Sequence, residues 1–175
     1  SNLTDIGNHW AKDYINSLYD RGIVTGSTAT TYSPDQNIKR CDFIVMLYRA
    51  ANSPAVTSKQ VFSDVPTGKY YSDAITWAQS KGIAQGTGSG TFAPMDTLTR
   101  EQAFAFVYRA LKPLGISYSD GSASALSAFS DSAKVSNYAL TPAATLIKLG
   151  VVGGSDGKLN PQGNLTRGQM AKILW

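Results

Sequence analysis

Three arginines stand where a helix ordinarily disfavours them. In "LTREQ" (Leu98 to Gln102), Thr99 is a good N-cap and Gln102 completes a capping-box spacing ahead of the apolar run "AFAFV", which places Arg100 on the first helical residue. "IKRCD" (Ile38 to Asp42) and "LTRGQ" (Leu165 to Gln169) set Arg40 and Arg167 in the same frame. A cation at the positive end of a helix dipole typically costs about a few tenths of a kcal/mol, so something must offset it three times. The other reactive candidate is Cys41, a thiol at a helix start beside Lys39 and Arg40, with His9 as a conceivable base. The equivalent positions hold Glu101 and Gly168, so the repeat does not depend on a thiol and Cys41 reads as a packed cysteine. A single histidine supplies no His-rich metal site, and no GxSxG, HExxH or P-loop pattern occurs. No catalytic residue, metal ligand or cofactor is expected.

The elements that carry these arginines repeat. Arg40 to Arg100 is sixty residues and Arg100 to Arg167 sixty-seven, and several features move with them. "LTDI" (Leu3 to Ile6), "FSDV" (Phe62 to Val65) and "FSDS" (Phe129 to Ser132) open the units, each followed by an aromatic (Trp10, Tyr70, Tyr138) and an apolar pattern ending at Gly22, Gly82 and Gly150. A second glycine follows four residues on, at Gly26, Gly86 and Gly154, and a proline precedes each arginine by six. The spacing predicts helix, loop, helix in units 1–58, 59–125 and 126–175, with the three second helices sharing a core. A short extended stretch before each proline is compatible with the loops. The extra length between the last two arginines falls in Lys112 to Ala128, rich in Ser, Gly and Pro, which reads as a linker. Pro142 is acceptable if its helix starts near Tyr138 to Thr141. Tyr32, Phe92 and Leu159 read as structural plugs. Trp10, Tyr70 and Tyr138 could present a face to a sugar ring, but at the first turn of an amphipathic helix they read as core or core rim.

The 175 residues carry a formal charge of +4, with 42% hydrophobic and 16% charged residues. That balance suits a globular chain and leans toward an acidic partner: nucleic acid, anionic lipid headgroups or an anionic polysaccharide. No apolar run approaches a membrane span. One cysteine excludes an internal disulfide. A helix-turn-helix nucleic-acid reader is disfavoured, because the inter-helix loop is far longer than three or four residues. The chain opens abruptly on "SNLTDIG" and stops inside a helical pattern, the form of a piece of a larger protein.

The F-S-D opening, the G-I-V-x-G turn, the F-x-P step and the T-R-x-x helix start resemble the S-layer homology domain, over essentially the whole chain as three tandem modules. The resemblance implies a mainly α fold, three helix-loop-helix repeats in a pseudo-threefold, three-pronged assembly around a central three-helix bundle. It implies a non-catalytic anchor on the bacterial cell wall or S-layer, part of a larger exported surface-layer protein or surface enzyme. The implied partner is an anionic secondary cell-wall polysaccharide with pyruvate-ketal N-acetylmannosamine units, bound in grooves between neighbouring repeats, with no nucleic acid and no membrane span. It assigns carboxylate recognition to Arg40, Arg100 and Arg167, each a guanidinium fork beside free backbone N–H groups. Asp5, Asp64 and Asp131 would then accept from sugar hydroxyls, or else pair with the arginines or cap the first helices. Gly26, Gly86 and Gly154 would let a sugar approach the backbone, or else serve a turn needing positive φ. The first repeat departs by carrying Lys39 where Thr99 and Thr166 stand, so its helix lacks that cap and its site gains a cation. A helical-repeat scaffold for a protein partner, with the arginines reaching acidic residues, is the alternative reading.

Overall fold

The computed structural model describes residues 2–57, 59, 62–84, 90–153 and 157–174. Apolar residues at helical spacing produce α1 (Lys12–Asp20), α2 (Arg40–Ala50), α3 (Ser72–Ser80), α4 (Arg100–Ala110), α5 (Asn137–Lys148) and α6 (Arg167–Leu174). The protein is mainly helical, and among the described residues no strand forms. Each arginine is the first residue of its helix, as the capping pattern requires. Thr99 and Gln102 close a full capping box, and Thr166 and Gln169 exchange the same two hydrogen bonds, whereas Lys39 caps nothing. The first helix of every unit ends on a left-handed glycine, Gly22, Gly82 or Gly150, with φ of 74°, 74° and 76°.

Helices are exchanged between neighbours in a closed cycle. α3 packs on α2, α5 on α4 and α1 on α6, so the first helix of each repeat covers the second helix of the repeat before it, and the third repeat closes onto the first. The buried faces of α2 (Phe43, Ile44, Leu47), α4 (Ala103, Phe104, Val107) and α6 (Met170, Ala171) join one continuous core. Phe43 and Phe106 stack across the α2–α4 contact with centroids 6.2 Å apart. Such burial is worth roughly 1.5–3 kcal/mol per large apolar side chain, and no repeat alone can complete it.

Three details differ from the sequence expectation. Extended backbone appears after each proline, as isolated antiparallel bridges Asn37–Thr166, Lys39–Thr97 and Thr99–Asn164 that tie neighbouring repeats together. Pro142 sits in the second turn of α5, buried, because that helix begins at Asn137. The stretch Lys112 to Ala128 is a strap across α5: residues Ala123–Ala128 form a 3-10 helix packed on it, Leu126 is buried, and the Gly121 N–H donates to Thr145 Oγ1 at 3.0 Å.

The loop between the two helices of each repeat has a fixed path whose cause is the recurring aspartate. Asp5 accepts the N–H groups of Tyr32 and Ser33 at 2.9 and 2.8 Å, Asp64 those of Phe92 and Ala93 at 2.8 Å each, and Asp131 those of Leu159 and Asn160 at 2.9 and 2.8 Å. The second residue of each pair takes a left-handed conformation (φ 59°, 59° and 50°) that costs a non-glycine residue about 1–2 kcal/mol. Two charge-assisted bonds from one carboxylate offset that strain. Tyr32, Phe92 and Leu159 are thereby driven into the core, fully buried as plugs.

Asp64→Ala should therefore cost about 1.5–3 kcal/mol, read as a lower urea midpoint at neutral pH. Partial burial alone would raise the Asp5 and Asp131 carboxyls, but the amide hydrogen bonds outweigh it and hold both below the ordinary carboxylate value. Their contribution is complete above the unfolded value of about 4 and is lost as pH falls through the lower folded values. Thermal midpoints on acidification below about pH 4 should fall steeply in the wild-type chain and less steeply in Asp131→Asn.

Candidate functional site

Each arginine reaches out of its own repeat into the next. Arg40 Nε donates to the Phe92 carbonyl at 3.0 Å, Arg100 Nε to the Leu159 carbonyl at 2.7 Å, and Arg167 Nε to the Tyr32 carbonyl at 2.7 Å. These are the carbonyls of the plugs that the aspartates position. The guanidinium carbon of Arg40 lies 4.7 Å from the Phe92 ring centroid and 5.3 Å from that of Phe106; Arg167 lies 4.4 Å from the Tyr32 ring and Arg100 5.5 Å from Phe104. The Tyr32 hydroxyl returns a hydrogen bond to the Arg167 carbonyl at 3.0 Å.

The backbone of the same helix starts is satisfied across the same seams. Arg40 and Cys41 donate their N–H groups to the carbonyls of Asp96 and Pro94, Arg100 and Glu101 to those of Gly163 and Pro161, and Arg167 and Gly168 to those of Gln36 and Pro34, at 2.8 to 3.0 Å. The expectation of free amides beside the arginines is corrected here: neighbouring carbonyls already occupy the first two. Those carbonyl oxygens also gather negative partial charge around the helix start, which answers why a cation is tolerated there.

What is left over is the outer edge of each guanidinium. Nε is used, and among the described residues no acceptor in the chain reaches the terminal Nη groups of Arg40, Arg100 or Arg167. Among the described residues no fully buried side-chain nitrogen lacks a partner, so these groups touch the exterior. Arg40 and Arg167 are nevertheless only 7% and 8% exposed. Burial pushes the Arg40 and Arg100 guanidinium groups below their ordinary value, with Asp96, Tyr138 and Asp64 opposing this at Arg40 and Asp131 opposing it at Arg100. Among the described residues neither forms an ion pair. A desolvated cation with carboxylates nearby but none in ion-pair contact carries an electrostatic cost that an incoming anion would relieve.

Two grooves open on these edges, each enclosing about 370 Å³. Arg167 of the third repeat borders one, with Gly26, Ser27, Lys39 and Asp42 of the first and Tyr70 of the second. Arg100 of the second repeat borders the other, with Val151, Gly153, Gln169 and Lys172 of the third and Trp10 of the first. Trp10, Tyr70 and Tyr138, read as core or core rim, are instead 56%, 65% and 48% exposed. Each stands one or two residues from its helix start, and the residue after it (Ala11, Tyr71, Ala139) takes the buried place. Tyr70 lies across its seam and donates to Asp42 Oδ1 at 2.5 Å.

Asp5, Asp64 and Asp131 form no ion pair with the arginines and cap no helix among the described residues; their oxygens hold the loops. At Gly26 a Cβ would meet the carbonyl oxygens of Thr28 and Thr31, so close loop packing, with no positive φ, demands glycine there. Gly86 and Gly154 lie outside the described residues. Cys41 is fully buried, and burial pushes its thiol up to about 11, so it is not poised as a nucleophile. His9 serves a different seam, where Nε2 meets Asp35 Oδ1 at 2.7 Å and Nδ1 accepts the Ala11 N–H at 3.1 Å. Gly168 lies there too, where an added Cβ would stand 3.1 Å from both His9 Cε1 and the Pro34 carbonyl. No helix of the described residues is long and apolar enough to cross a membrane, and no cluster of three His, Cys, Asp or Glu among them suits a metal ion.

Sequence comparison supplies the family. The model of the S-layer homology domain matches residues 2–44, 61–104 and 128–171. The chain is similar to an amylopullulanase of Thermoanaerobacterium thermosulfurigenes, 37% identical over 99% of this chain and 9% of that protein. It is similar to the exoglucanase XynX of Acetivibrio thermocellus, 35% identical over 99% of this chain and 16% of that protein. It also resembles the surface-layer 125 kDa protein of Lysinibacillus sphaericus, 30% identical over 94% of this chain and 14% of that protein. The chain spans less than a fifth of the length of each of these relatives. With three matches at the spacing of its three repeats, the chain belongs to the S-layer homology domain family, as three tandem copies.

Proposed function

We propose that this chain is a non-catalytic cell-wall anchor that binds an acidic secondary cell-wall polysaccharide in the grooves between adjacent repeats, tethering a larger exported protein to the bacterial surface. The observation that carries the reading is the guanidinium at each seam, buried at Arg40 and Arg167 and half-buried at Arg100, fixed through Nε and ring stacking while among the described residues its terminal nitrogens find no acceptor. A pyruvate ketal presents a single carboxylate, ionised at neutral pH, whose two oxygens match those two nitrogens. An aromatic rim, Trp10 in one groove and Tyr70 in the other, offers a face for the apolar side of a pyranose. The family supports anchoring at the cell wall, and relatives named as S-layer proteins and as polysaccharide-degrading enzymes are the kinds of protein such an anchor would hold. Arg40, Arg100 and Arg167 are the ligand-contacting residues; Asp5, Asp64 and Asp131 act by holding the loops that shape the grooves.

The chain should pellet with purified sacculi and stay in the supernatant once the attached polysaccharide has been removed. Unchanged pelleting after removal would point to peptidoglycan or a protein receptor and refute the reading. Arg100→Lys keeps a charge but loses the fork. It should weaken binding of a pyruvylated monosaccharide by about 1.5–3 kcal/mol in calorimetry while the chain remains folded by circular dichroism.

A further inference from the structure

A carboxylate stands in a groove suited to an anion. Beside the cations Lys39, Arg49 and Arg167, the lining of the Arg167 groove includes Asp42. A like charge at about 8 Å in water weakens the hold on an acidic ligand about twofold, so Asp42 works against the site unless it makes a contact of its own. One of its oxygens is engaged: Oδ1 accepts the Tyr70 hydroxyl at 2.5 Å and has the Cys41 thiol 3.6 Å away. Oδ2 accepts nothing among the described residues. Among them no fully buried side-chain oxygen lacks a partner, so Oδ2 of this half-buried residue touches the exterior.

The orientation of Asp42 follows from a missing capping box. Gln102 and Gln169 hold the equivalent position and are turned back onto their own helix starts. Oε1 of each accepts the N–H of Thr99 or Thr166 at 3.0 Å, and the threonine hydroxyl accepts the glutamine N–H in return. Lys39 has no hydroxyl for that exchange and α2 has no side-chain cap, so Asp42 reaches across the seam to Tyr70 instead. Tyr70 fixes Oδ1, and with it the carboxylate, leaving Oδ2 as the open acceptor of a residue that lines the groove. An acid in the first turn of α2 also complements the helix dipole, but that role needs neither Tyr70 nor the groove.

We propose that Asp42 is a specificity-determining residue of the Arg167 groove: its Oδ2 accepts a hydrogen bond from an uncharged donor of the saccharide, the acetamido N–H or a ring hydroxyl, while Arg167 holds the single carboxylate. This rests on the anchoring reading above and adds a second contact to the same sugar unit. Lys39, Arg49 and Arg167 around the groove disfavour an ammonium group, so the donor is neutral. A hydrogen bond to a carboxylate is stronger than one between neutral groups and outweighs the like-charge repulsion. The groove then asks its ligand for one acid and one donor at once, and discriminates against a simple acid. Gln169, at the same place in the Arg100 groove, is neutral and spends Oε1 on its capping box, so the requirement belongs to the Arg167 groove.

The test is a titration of the whole chain, labelled with 15N, with pyruvylated methyl N-acetylmannosaminide and two analogues, one lacking the acetamido group and one lacking the free ring hydroxyl. Amides of Ser27 and Asn37 report on the Arg167 groove and those of Val151 and Gly153 on the Arg100 groove. In the Arg167 groove Asp42→Ala should weaken the parent sugar about three- to tenfold. The analogue without the recognised donor should bind the wild-type groove about three- to tenfold more weakly than the parent. The same substitution should then strengthen that analogue about twofold, because only the repulsion is lost. Which analogue behaves so identifies the donor as N–H or O–H. Asp42→Asn keeps the shape but should weaken the parent as Ala does, since Tyr70 claims the remaining carbonyl and an N–H2 group stands where Oδ2 was. In both variants affinities in the Arg100 groove should stay within about twofold, and an unchanged circular dichroism spectrum separates lost contact from lost fold. An Asp42→Ala chain that binds the parent as tightly as wild type or more so, or that loses the parent and both analogues equally, would overturn the role of Asp42 and leave the anchoring reading standing. If the parent sugar moves no amide of either groove in the wild-type chain, the anchoring reading falls and this inference with it.

Discussion

The structure depends on one bond made three times: an arginine Nε–H of one repeat donating to the carbonyl of the plug residue in the next. Only a guanidinium can do this and keep something in reserve. Its planar fork lets one nitrogen be fixed inside a seam while the other two point outward, whereas a lysine has a single nitrogen for both tasks. The carbonyl is available because an aspartate holds the plug and the residue after it in a strained, left-handed turn. That turn in turn aims the carbonyls of Pro34, Pro94 and Pro161 and those two residues further on at the neighbouring helix start. Aspartate, turn, arginine and helix N-terminus form one device, and none of its parts is satisfied within a single repeat.

Closure follows from that incompleteness. Each first helix needs the preceding repeat's second helix to bury its apolar face, and each second helix needs the following repeat's loop to satisfy its first amides. A chain with two repeats would leave one helix start and one seam arginine unpaired; the third returns to the first through Arg167 and Tyr32. Position two of each second helix shows how locally the seams have been solved: Cys41 packs against Tyr70, Glu101 accepts the Ser136 N–H and the Gln162 amide, and Gly168 makes room for His9. Equivalent seams are thus built from unlike side chains, and the grooves above them inherit those differences.

Much of this was legible in the sequence. Capping chemistry placed the three arginines on first helical residues, glycine spacing ended the first helices, and the aromatic or aliphatic residue before each proline read as a plug. These are local signals, decided by a few neighbours. What escaped was relational. The aspartates recur in register with the plugs, 27 or 28 residues upstream, yet pairing a carboxylate with two amides that far along the chain needs the loop's path. Left-handed Ser33, Ala93 and Asn160 contradict their own preferences, since proline follows and none is glycine, so only the clamp explains them. The outward turn of Trp10, Tyr70 and Tyr138 reverses a burial tendency because the adjacent residue fills the core. Helix exchange between repeats leaves no mark in a self-comparison, which reads the same whichever helix covers which.

The central claim is that one side chain serves the fold through Nε and the ligand through its terminal nitrogens. The direct measurement is guanidinium NMR on the arginine-labelled chain during titration with a pyruvylated monosaccharide. The account predicts that the Nη resonances of Arg100 and Arg167 shift and slow their exchange while each Nε–H stays protected and unmoved. Nη resonances that ignore the sugar, or an Nε–H released on binding, would contradict it.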